Sequence, residues 1–130
     1  MFEANITNSK YQITKIVSTS IIVINVYRSE DASSMFLTDL QKFIEVDKTV
    51  LVCGDFNFCY RSDVNHPVKL FFKERNFTQV VTEATHREGR IIDHTYVFCV
   101  DPYNVKDFEA KVQGCYYSDH DKITTYFIPR

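Results

Sequence analysis

Apolar residues follow two different spacings along this chain, and these spacings predict an alternation of strands and helices. Residues 20–27 and 49–53 are almost continuously apolar, which is typical of strands that are covered on both faces. Between them, apolar side chains recur every three to four residues over 36–44. This segment is expected to form an amphipathic helix, with N-cap candidates in residues 31–34.

The rest of the chain continues the same alternation. A second helix is expected to begin at Pro67, with Asn65 or His66 as its cap, and to reach about Asn76. Further strands are predicted at 11–17, 78–81, 91–98, 111–117 and 123–128, with 100–107 as a connection. The order β-β-α-β-α-β-β-β-β predicts a mixed α/β domain in which helices cover a sheet.

Composition narrows the function classes. The chain has 130 residues, of which 45% are hydrophobic and 15% aromatic, so it can form the core of one domain or of part of one. Its net charge is −2, whereas a domain that binds nucleic acid through bulk charge is usually strongly basic. The composition still permits one local phosphate site, or a site where a divalent metal supplies the positive charge.

The cysteines and the N-terminus predict an intracellular setting. The four cysteines form no CxxC pair and no zinc-finger spacing with histidine, so we expect buried free thiols in a reducing compartment. Residues 1–10 are polar and unlike a secretory signal, and no apolar stretch approaches the roughly 20 residues of a membrane span. The expected location is nuclear or cytoplasmic. The four positions are Cys53, Cys59, Cys99 and Cys115.

Polar residues gather in four short clusters at predicted strand ends. The clusters are Asn-Val-Tyr-Arg at 25–28, Gly-Asp-Phe-Asn at 54–57, Gly-Arg-Ile-Ile-Asp at 89–93 and Ser-Asp-His at 118–120. Taken singly, each could be an ordinary turn or a solvated loop, because Asp and Asn favour turns through side-chain hydrogen bonds to the backbone.

In this order, the four clusters resemble the endonuclease/exonuclease/phosphatase (DNase I-like) superfamily over about residues 20–127. The resemblance is to its C-terminal half, which reads as a Tyr-bearing strand end, GDFN, an Ile-Asp-His strand and SDH. Segments 85–93 and 27–29 are most similar to the endonucleases of mobile elements, namely non-LTR retrotransposons and helitron-type proteins. The resemblance implies an α/β fold: the C-terminal half of a DNase I-like four-layer α/β sandwich, with a mixed sheet and covering helices.

The resemblance also implies roles in phosphodiester hydrolysis, with DNA as the substrate. Asp55 would orient or deprotonate the attacking water, and Asn57 would hydrogen-bond a non-bridging phosphate oxygen. His120 would bind phosphate as an imidazolium, and Asp93 would accept its other ring N–H.

Three further positions complete the site that the resemblance implies. Asp119 would help to hold Mg²⁺, with Mn²⁺ as an alternative ion. Tyr27 would contact the phosphate through its hydroxyl. Arg28 is a candidate contact to a backbone phosphate, although a solvated surface arginine is about equally expected.

Other titratable residues are interpreted as structural. His66 is expected to cap a helix, His86 to pack or cap near a turn, and His94 to take the place of a core aromatic. Asp63 and Asp121 are read as ordinary loop carboxylates.

A complete domain of the superfamily is roughly twice as long as this chain and consists of two related halves. The first half supplies an Asn and the Glu that is a principal metal ligand. Neither motif is present, and Glu3 is not expected to replace that Glu. We therefore expect an exposed apolar sheet face rich in Ile, Val and Phe, weak metal binding and little turnover. A missing N-terminal half, or a second copy in a dimer, could cover that face.

Three functions stay open at this point. The first is a Mg²⁺-dependent DNA endonuclease. The second is a phosphatase or phospholipase of the same superfamily, which the absence of a substrate-selective His beside Tyr27 disfavours. The third is a non-catalytic remnant or interaction module that binds a partner through its exposed sheet face.

Overall fold

The structure is a computed structural model that describes residues 2–86, 89–113, 120 and 122–127, without the side chains of residues 2, 122 and 127. The strands are β1 (Phe2–Thr7), β2 (Tyr11–Val17), β3 (Ile21–Arg28), β4 (Thr49–Asp55), β5 (Thr78–Gln79), β6 (Asp93–Phe98), β7 (Phe108–Gln113) and β8 (Lys122–Phe127). The helices are α1 (Met35–Gln41) and α2 (Pro67–Glu74), with a 3₁₀ turn at Val105–Asp107.

Six of the strands form one mixed sheet, and the last two form a hairpin. The order in the sheet is β1-β2-β3-β4-β6-β5, and only the β3–β4 pair is parallel. Helix α1 lies in the connection between β3 and β4, as parallel neighbours require a crossover. Strands β7 and β8 pair with each other in antiparallel fashion. This architecture is the mixed sheet with covering helices that the sequence predicted.

Both helices pack on the same face of the sheet, which we call the covered face. Phe36 of α1 and Phe72 of α2 contact Phe56 edge to face, and Phe72 stacks on Tyr96 of β6 at a ring distance of 3.8 Å. Burial of apolar side chains is the main source of stability in such a core. The fully buried strand residues on this face include Ile13, Ile22, Ile24, Val50 and Val52.

The opposite face, which we call the open face, is less apolar than expected. Ile16 and Tyr27 are 38% and 48% exposed, but polar side chains stand between the apolar ones. The expectation of a patch rich in Ile, Val and Phe was therefore wrong in composition, because the phenylalanines of the core pack on the covered face. The open-face residues include Gln12, Thr14, Ile16, Val23, Asn25, Tyr27 and Leu51.

The β7–β8 hairpin covers one end of the open face. The Thr95 and Thr125 hydroxyls lie 3.3 Å apart, and Thr95 and Val97 of β6 are buried. Beside this contact is a cleft of about 460 Å³, lined in part by Val23, Leu51 and Ile123.

Strand β1 was not predicted, because residues 1–10 look polar as a whole. Within the strand, however, Ala4 and Ile6 are half-buried while Glu3, Asn5 and Thr7 are exposed. This alternation is the period-two pattern of an edge strand with one wet face.

Most of the other predicted boundaries agree with the structure. Strand β2 has the predicted bounds, and α2 begins at Pro67 with His66 as its N-cap. The Nδ1 atom of His66 accepts a hydrogen bond from the Val68 N–H at 3.2 Å. Helix α1 is shorter than predicted, because residues 42–44 continue as turns even though Phe43 and Ile44 still pack against the core.

The last two strands differ more from their predicted positions. Strand β7 begins at Phe108, three residues before the predicted start, and residues 114–117 and 128 of the predicted strands lie outside the described residues. No helix in the described part of the chain is long and apolar enough to cross a membrane.

Candidate active site

Strand register brings three of the predicted site residues into one row on the open face. In the parallel β3–β4 pair, Tyr27 stands opposite Asp55. In the antiparallel β4–β6 pair, Asp55 stands opposite Asp93. Because opposed residues project to the same side of a sheet, the three side chains share one edge of the open face. Tyr27 is about half exposed, and its hydroxyl is not hydrogen-bonded to any described residue.

Gly54 makes this row possible. A Cβ atom at this position would lie only 1.9 Å from the Val26 carbonyl oxygen, and the φ angle of +143° is rarely adopted by other residues. Strands β3 and β4 therefore approach each other more closely at Gly54 than a side chain would allow. The glycine of the GDFN motif is a steric requirement of the strand pair that holds Asp55.

The turn after β4 fixes both Asp55 and Asn57. Asn57 adopts a left-handed φ of 55°, which Asn tolerates better than most residues. Its backbone N–H donates to Oδ1 of Asp55 at 2.9 Å, and its Nδ2 donates to the Arg28 carbonyl at 2.8 Å. One amide hydrogen of Asn57 remains for another acceptor, since the NH₂ group carries two.

His120 lies between the two carboxylates. Its Nδ1 is 2.9 Å from Oδ2 of Asp93, and its Nε2 is 3.6 Å from Oδ2 of Asp55. The Asp93 contact is a hydrogen bond, whereas the Asp55 distance exceeds hydrogen-bonding range. All three side chains are partly exposed, at 33% for His120, 21% for Asp55 and 14% for Asp93, so a substrate can reach them.

The environment of Asp55 makes its carboxylate more basic. Burial raises the pKa of Asp55, and the negative charge of Asp93 raises it further. The hydrogen bond from Asn57 and the nearby imidazoles of His120 and His86 act in the opposite direction and only partly offset these effects. A carboxylate with a raised pKa is better suited to accept a proton near neutral pH.

Two residues join the site that sequence reasoning had not placed there. Thr85 is fully buried, and its hydroxyl oxygen accepts the backbone N–H groups of Ile92 and Asp93, both at 3.1 Å. The ring of His86 packs edge to face on that of His120, with centroids 5.3 Å apart. Both residues lie in segment 85–93, which carried part of the resemblance, so Thr85 had a sequence signal. The resemblance gave no role to His86, and its expected packing or capping role overlooked its contact with His120.

Arg28 requires a correction. Its side chain is only 6% exposed and projects to the covered face, where Nη1 donates to the Phe56 carbonyl at 2.9 Å. It therefore lies on the opposite face of the sheet from Tyr27. The interpretation as a solvated surface arginine was wrong, whereas a contact to a backbone phosphate stays a prediction, now for the covered face.

The other residues interpreted as structural agree with the structure where it describes them. His94 is buried, stacks on Phe56, and bonds to Tyr96 and to the Ile91 carbonyl. Asp63 is an exposed loop residue. Asp119 and Asp121 lie outside the described residues.

Three cysteines are described, and they are free but not fully buried. Cys53, Cys59 and Cys99 are all partly exposed, so the expectation of free thiols was correct and that of complete burial was not. Cys115 lies outside the described residues.

The donor atoms of the site suit a divalent cation. Ligand atoms of Asp55, Asp93 and His120 lie within 4.8 Å of one another. Carboxylate oxygens are the ligands that Mg²⁺ prefers, so Asp55 and Asp93 fit such an ion. His120 already bonds to Asp93, which favours a hydrogen-bonding role for its imidazole.

The fold is a DNase I-like α/β architecture. Similar solved structures include CdtB, the biologically active subunit of cytolethal distending toxin (TM-score 0.67, 12% identity, 93% of this chain and 55% of that chain). Another is the cytolethal distending toxin from Actinobacillus actinomycetemcomitans (0.62, 19%, 89% and 52%). A third is the endonuclease domain of TRAS1, a telomere-specific non-LTR retrotransposon (0.68, 13%, 97% and 67%).

The chain spans about half the length of the two toxin chains that it matches. No protein-family model and no curated protein matches it. The structural likeness thus establishes the DNase I-like fold, with a mobile-element endonuclease among its neighbours.

Proposed function

We propose that this chain carries the catalytic edge of a divalent-metal-dependent phosphodiesterase that cuts DNA as an endonuclease. The observation that carries the proposal is the convergence of Asp55, Asp93 and His120, 38 and 27 residues apart along the chain, with Tyr27 beside them. These residue types meet the needs of phosphodiester hydrolysis, which are a base for water and hydrogen bonds for the developing negative charge.

Asp55 is the residue that accepts a proton from the attacking water. Its Oδ1 is held by the Asn57 N–H, which leaves Oδ2 directed towards His120. Its raised pKa increases the basicity of the carboxylate, as a general base requires.

His120 and Asn57 bind the phosphate. Asp93 accepts the Nδ1–H of His120, which fixes the ring and directs Nε2 to the open side. One amide hydrogen of Asn57 bonds to the Arg28 carbonyl, and this bond holds the amide so that the second hydrogen can donate to the phosphate. Tyr27 adds a hydroxyl from the neighbouring strand.

A divalent ion, Mg²⁺ or Mn²⁺, would supply Lewis-acid stabilisation of the phosphate oxygens. Asp119 is the ligand that the resemblance implies, and Asp55 and Asp93 are the described carboxylates with ligand atoms close enough together to share an ion. Because this ion brings its own positive charge, the proposal is compatible with the chain's net charge of −2.

DNA is the proposed substrate because the TRAS1 neighbour is an endonuclease domain. A mobile-element origin of this chain follows the same neighbour and the sequence of segment 85–93. Turnover by the 130 residues alone is expected to be low, since about half the length of the toxin neighbours has no counterpart in them. We propose that a second segment supplies the remaining metal carboxylate and covers the open face.

The test is a supercoiled-plasmid nicking assay on the chain at high enzyme concentration, with Mg²⁺, with Mn²⁺ and with a chelator. Asp55→Ala and His120→Ala are compared with Asp47→Ala, which removes an exposed turn carboxylate that precedes β4, whereas Asp55 ends that strand. Metal-dependent nicking that the first two substitutions abolish and the third preserves is the expected result.

Other outcomes would point elsewhere. Nicking that survives His120→Ala or the chelator would contradict the proposed site. Release of inorganic phosphate from monoesters without nicking would favour a phosphatase. Absence of both activities, together with no Mn²⁺ binding by electron paramagnetic resonance, would favour a non-catalytic interaction module.

A further inference from the structure

We propose that a small cavity on the covered face, lined by Arg28, Ser33 and Ser34, binds a phosphate group at a site separate from the candidate active site. The cavity has a volume of about 140 Å³. It lies between the end of β3 and the N-terminal ends of both helices. Its walls also include Ala32, Phe36, Leu37, His66, Pro67 and Val68.

The first reason is the state of Arg28. Its side chain is more than nine-tenths buried, and the one hydrogen bond that it makes to a described residue is to the neutral Phe56 carbonyl. Within the described part of the chain, no carboxylate lies at ion-pair distance from the guanidinium. A buried cation normally has a charged partner, because desolvation is otherwise expensive.

The other guanidinium nitrogens of Arg28 are accessible to solvent. Among the described residues, every fully buried side-chain nitrogen has a hydrogen-bond partner. The Arg28 nitrogens other than Nη1 have none, so they must be accessible, and the cavity is the space that this side chain lines. Arginine presents its N–H groups as a planar fork that matches the oxygens of phosphate.

The second reason is the pair of serine residues, Ser33 and Ser34, that also line the cavity. Ser34 occupies the N-cap position of α1 but makes no side-chain cap bond. Ser33 accepts one weak contact, from the Met35 N–H at 3.3 Å, which leaves its hydroxyl hydrogen to donate. A cation and two hydroxyl donors on one cavity are the groups that recognise an oxyanion.

The surroundings favour a small anion and limit its size. The apolar side chains of Phe36, Leu37 and Val68 strengthen electrostatic attraction by excluding water. By the same measure of volume one water needs about 10–15 Å³, so the cavity is roughly ten times that size. That is sufficient for one phosphate group but not for a nucleotide. The N-terminus of α2 adds little, because His66 already caps it.

Two acidic residues near the cavity oppose anion binding. Asp31 and Asp63 both interact with the charge of Arg28. However, Asp31 is already bonded to Lys10 at 2.5 Å and to the Ser29 hydroxyl, and both acidic residues are exposed, where solvent screens them. Arg28 is therefore the dominant charge inside the cavity itself.

The site does not depend on the proposed nuclease activity. Its side chains project to the covered face, whereas Tyr27 and Asp55 project to the open face. The phosphate could be inorganic or could be the terminal phosphomonoester of a nucleic acid strand, and both present the same group to Arg28.

The test measures binding of inorganic phosphate to the metal-free chain at constant ionic strength, by thermal shift and by amide NMR, with chloride and acetate as competing anions. Phosphate is expected to raise Tm above the chloride value and to shift the amides of residues 28 and 32–34. The double variant Ser33→Ala/Ser34→Ala removes only exposed hydroxyls and is expected to raise the Kd about tenfold, which corresponds to about 1.4 kcal/mol.

Matched variants separate this site from other effects. Ser9→Ala removes an exposed hydroxyl elsewhere and is expected to leave the Kd unchanged. Arg28→Lys keeps the charge but loses the fork, and is expected to weaken binding if it folds. A dinucleotide with a 5′-phosphate, compared with its unphosphorylated form, shows whether a strand end also enters. Equal Tm in phosphate and chloride, or wild-type affinity in the serine double variant, would overturn the proposal.

Discussion

Nδ1 of His120 lies 2.9 Å from Oδ2 of Asp93, although 27 residues separate the two in sequence. Thr85 fixes the backbone of Asp93, because its hydroxyl accepts the Asp93 N–H. The carboxylate is therefore held both by its strand and by the preceding loop. This arrangement fixes one ring nitrogen of His120 and leaves the other directed towards Asp55.

Replacing Asp93 with Asn is expected to reduce plasmid nicking by about 10- to 100-fold, as for other residues that orient a catalytic imidazole. The amide is nearly the same size, so the fold should persist while the acceptor for Nδ1–H weakens. Initial nicking rates measure the effect, with thermal unfolding as the check on folding. Asp47→Asn, at an exposed turn, is the matched control. Unchanged nicking in Asp93→Asn would remove Asp93 from the mechanism.

Replacing His86 with Ala is expected to have a smaller effect on nicking, of up to about tenfold. Its ring packs edge to face on His120, and such aromatic contacts contribute about 0.5–1.5 kcal/mol. The loss should appear in kcat more than in KM, because His86 is expected to act by orienting His120. A rate equal to that of the unmodified chain would show that the contact is incidental.

The sequence predicted most of the sheet, because continuous apolar runs such as 20–27 and 49–53 have few alternatives to buried strands. It missed β1, whose two half-buried positions, Ala4 and Ile6, are too few to stand out among polar neighbours. Helix α1 was predicted too long, because Phe43 and Ile44 continue the helical spacing while packing from a turn.

The face of Arg28 could have been deduced from sequence, and the contact of His86 could not. Successive side chains of a strand point to opposite faces, so Arg28 follows Ile22, Ile24 and Val26 to the covered face while Tyr27 lies on the other. The contact between His86 and His120 depends instead on how two loops fold towards each other, and no local pattern encodes that approach.

The two described glycines allow a direct test of the steric argument for Gly54. Gly54→Ala is expected to lower the free energy of unfolding by about 3 kcal/mol or more, because it combines backbone strain with overpacking. Its Cβ would lie 1.9 Å from the Val26 oxygen. Gly89→Ala also has a positive φ, but its Cβ would meet nothing within 4 Å, so about 1 kcal/mol is expected. Urea unfolding measures both, and equal losses would refute the close-approach explanation.

Cys59 is expected to be the most reactive of the described cysteines. Burial acts to raise its pKa, but hydrogen bonds from the Ser62 side chain and from backbone groups outweigh this effect and lower the pKa of Cys59 to about 7. Burial raises the pKa of Cys53 and Cys99.

Iodoacetamide at pH 7.5 should therefore label Cys59 at least about five times faster than Cys53 or Cys99, since the thiolate is the nucleophile. Peptide mass spectrometry after short labelling times gives the rates. Ser62→Ala should slow the labelling of Cys59 without affecting the other two cysteines. Labelling of Cys53 at an equal rate would contradict the prediction.

His94 is expected to make the chain less stable in mild acid. Burial lowers the pKa of His94 to about 4, and its hydrogen bonds to the Ile91 and Phe58 carbonyls only partly oppose this. The unfolded chain, with an ordinary histidine pKa of about 6.5, binds the proton first as the pH falls. Stability from this residue is therefore complete above about pH 6.5 and decreases towards pH 4, by about 1.4 kcal/mol per pH unit and about 3 kcal/mol in total.

Urea unfolding at pH values between 5 and 7 tests the His94 prediction. The described carboxylates with lowered pKa values also stabilise the fold, but their contribution is lost only at lower pH. They are Asp31, Asp39 and Glu45. The pKa of His66 is also lowered, mainly by burial, so it adds a slope of the same sign. His94→Phe preserves the stack on Phe56 but cannot titrate, so the difference between its pH profile and that of the unmodified chain isolates His94. The variant should be less stable at pH 7, since Tyr96 loses its partner, yet its profile should be flatter. Parallel profiles would mean that the folded chain protonates His94 as readily as the unfolded chain does. The hydrogen bonds of His94 argue against this, because Nδ1 accepts from the Tyr96 hydroxyl and only Nε2 carries a hydrogen, which it donates to the Ile91 carbonyl.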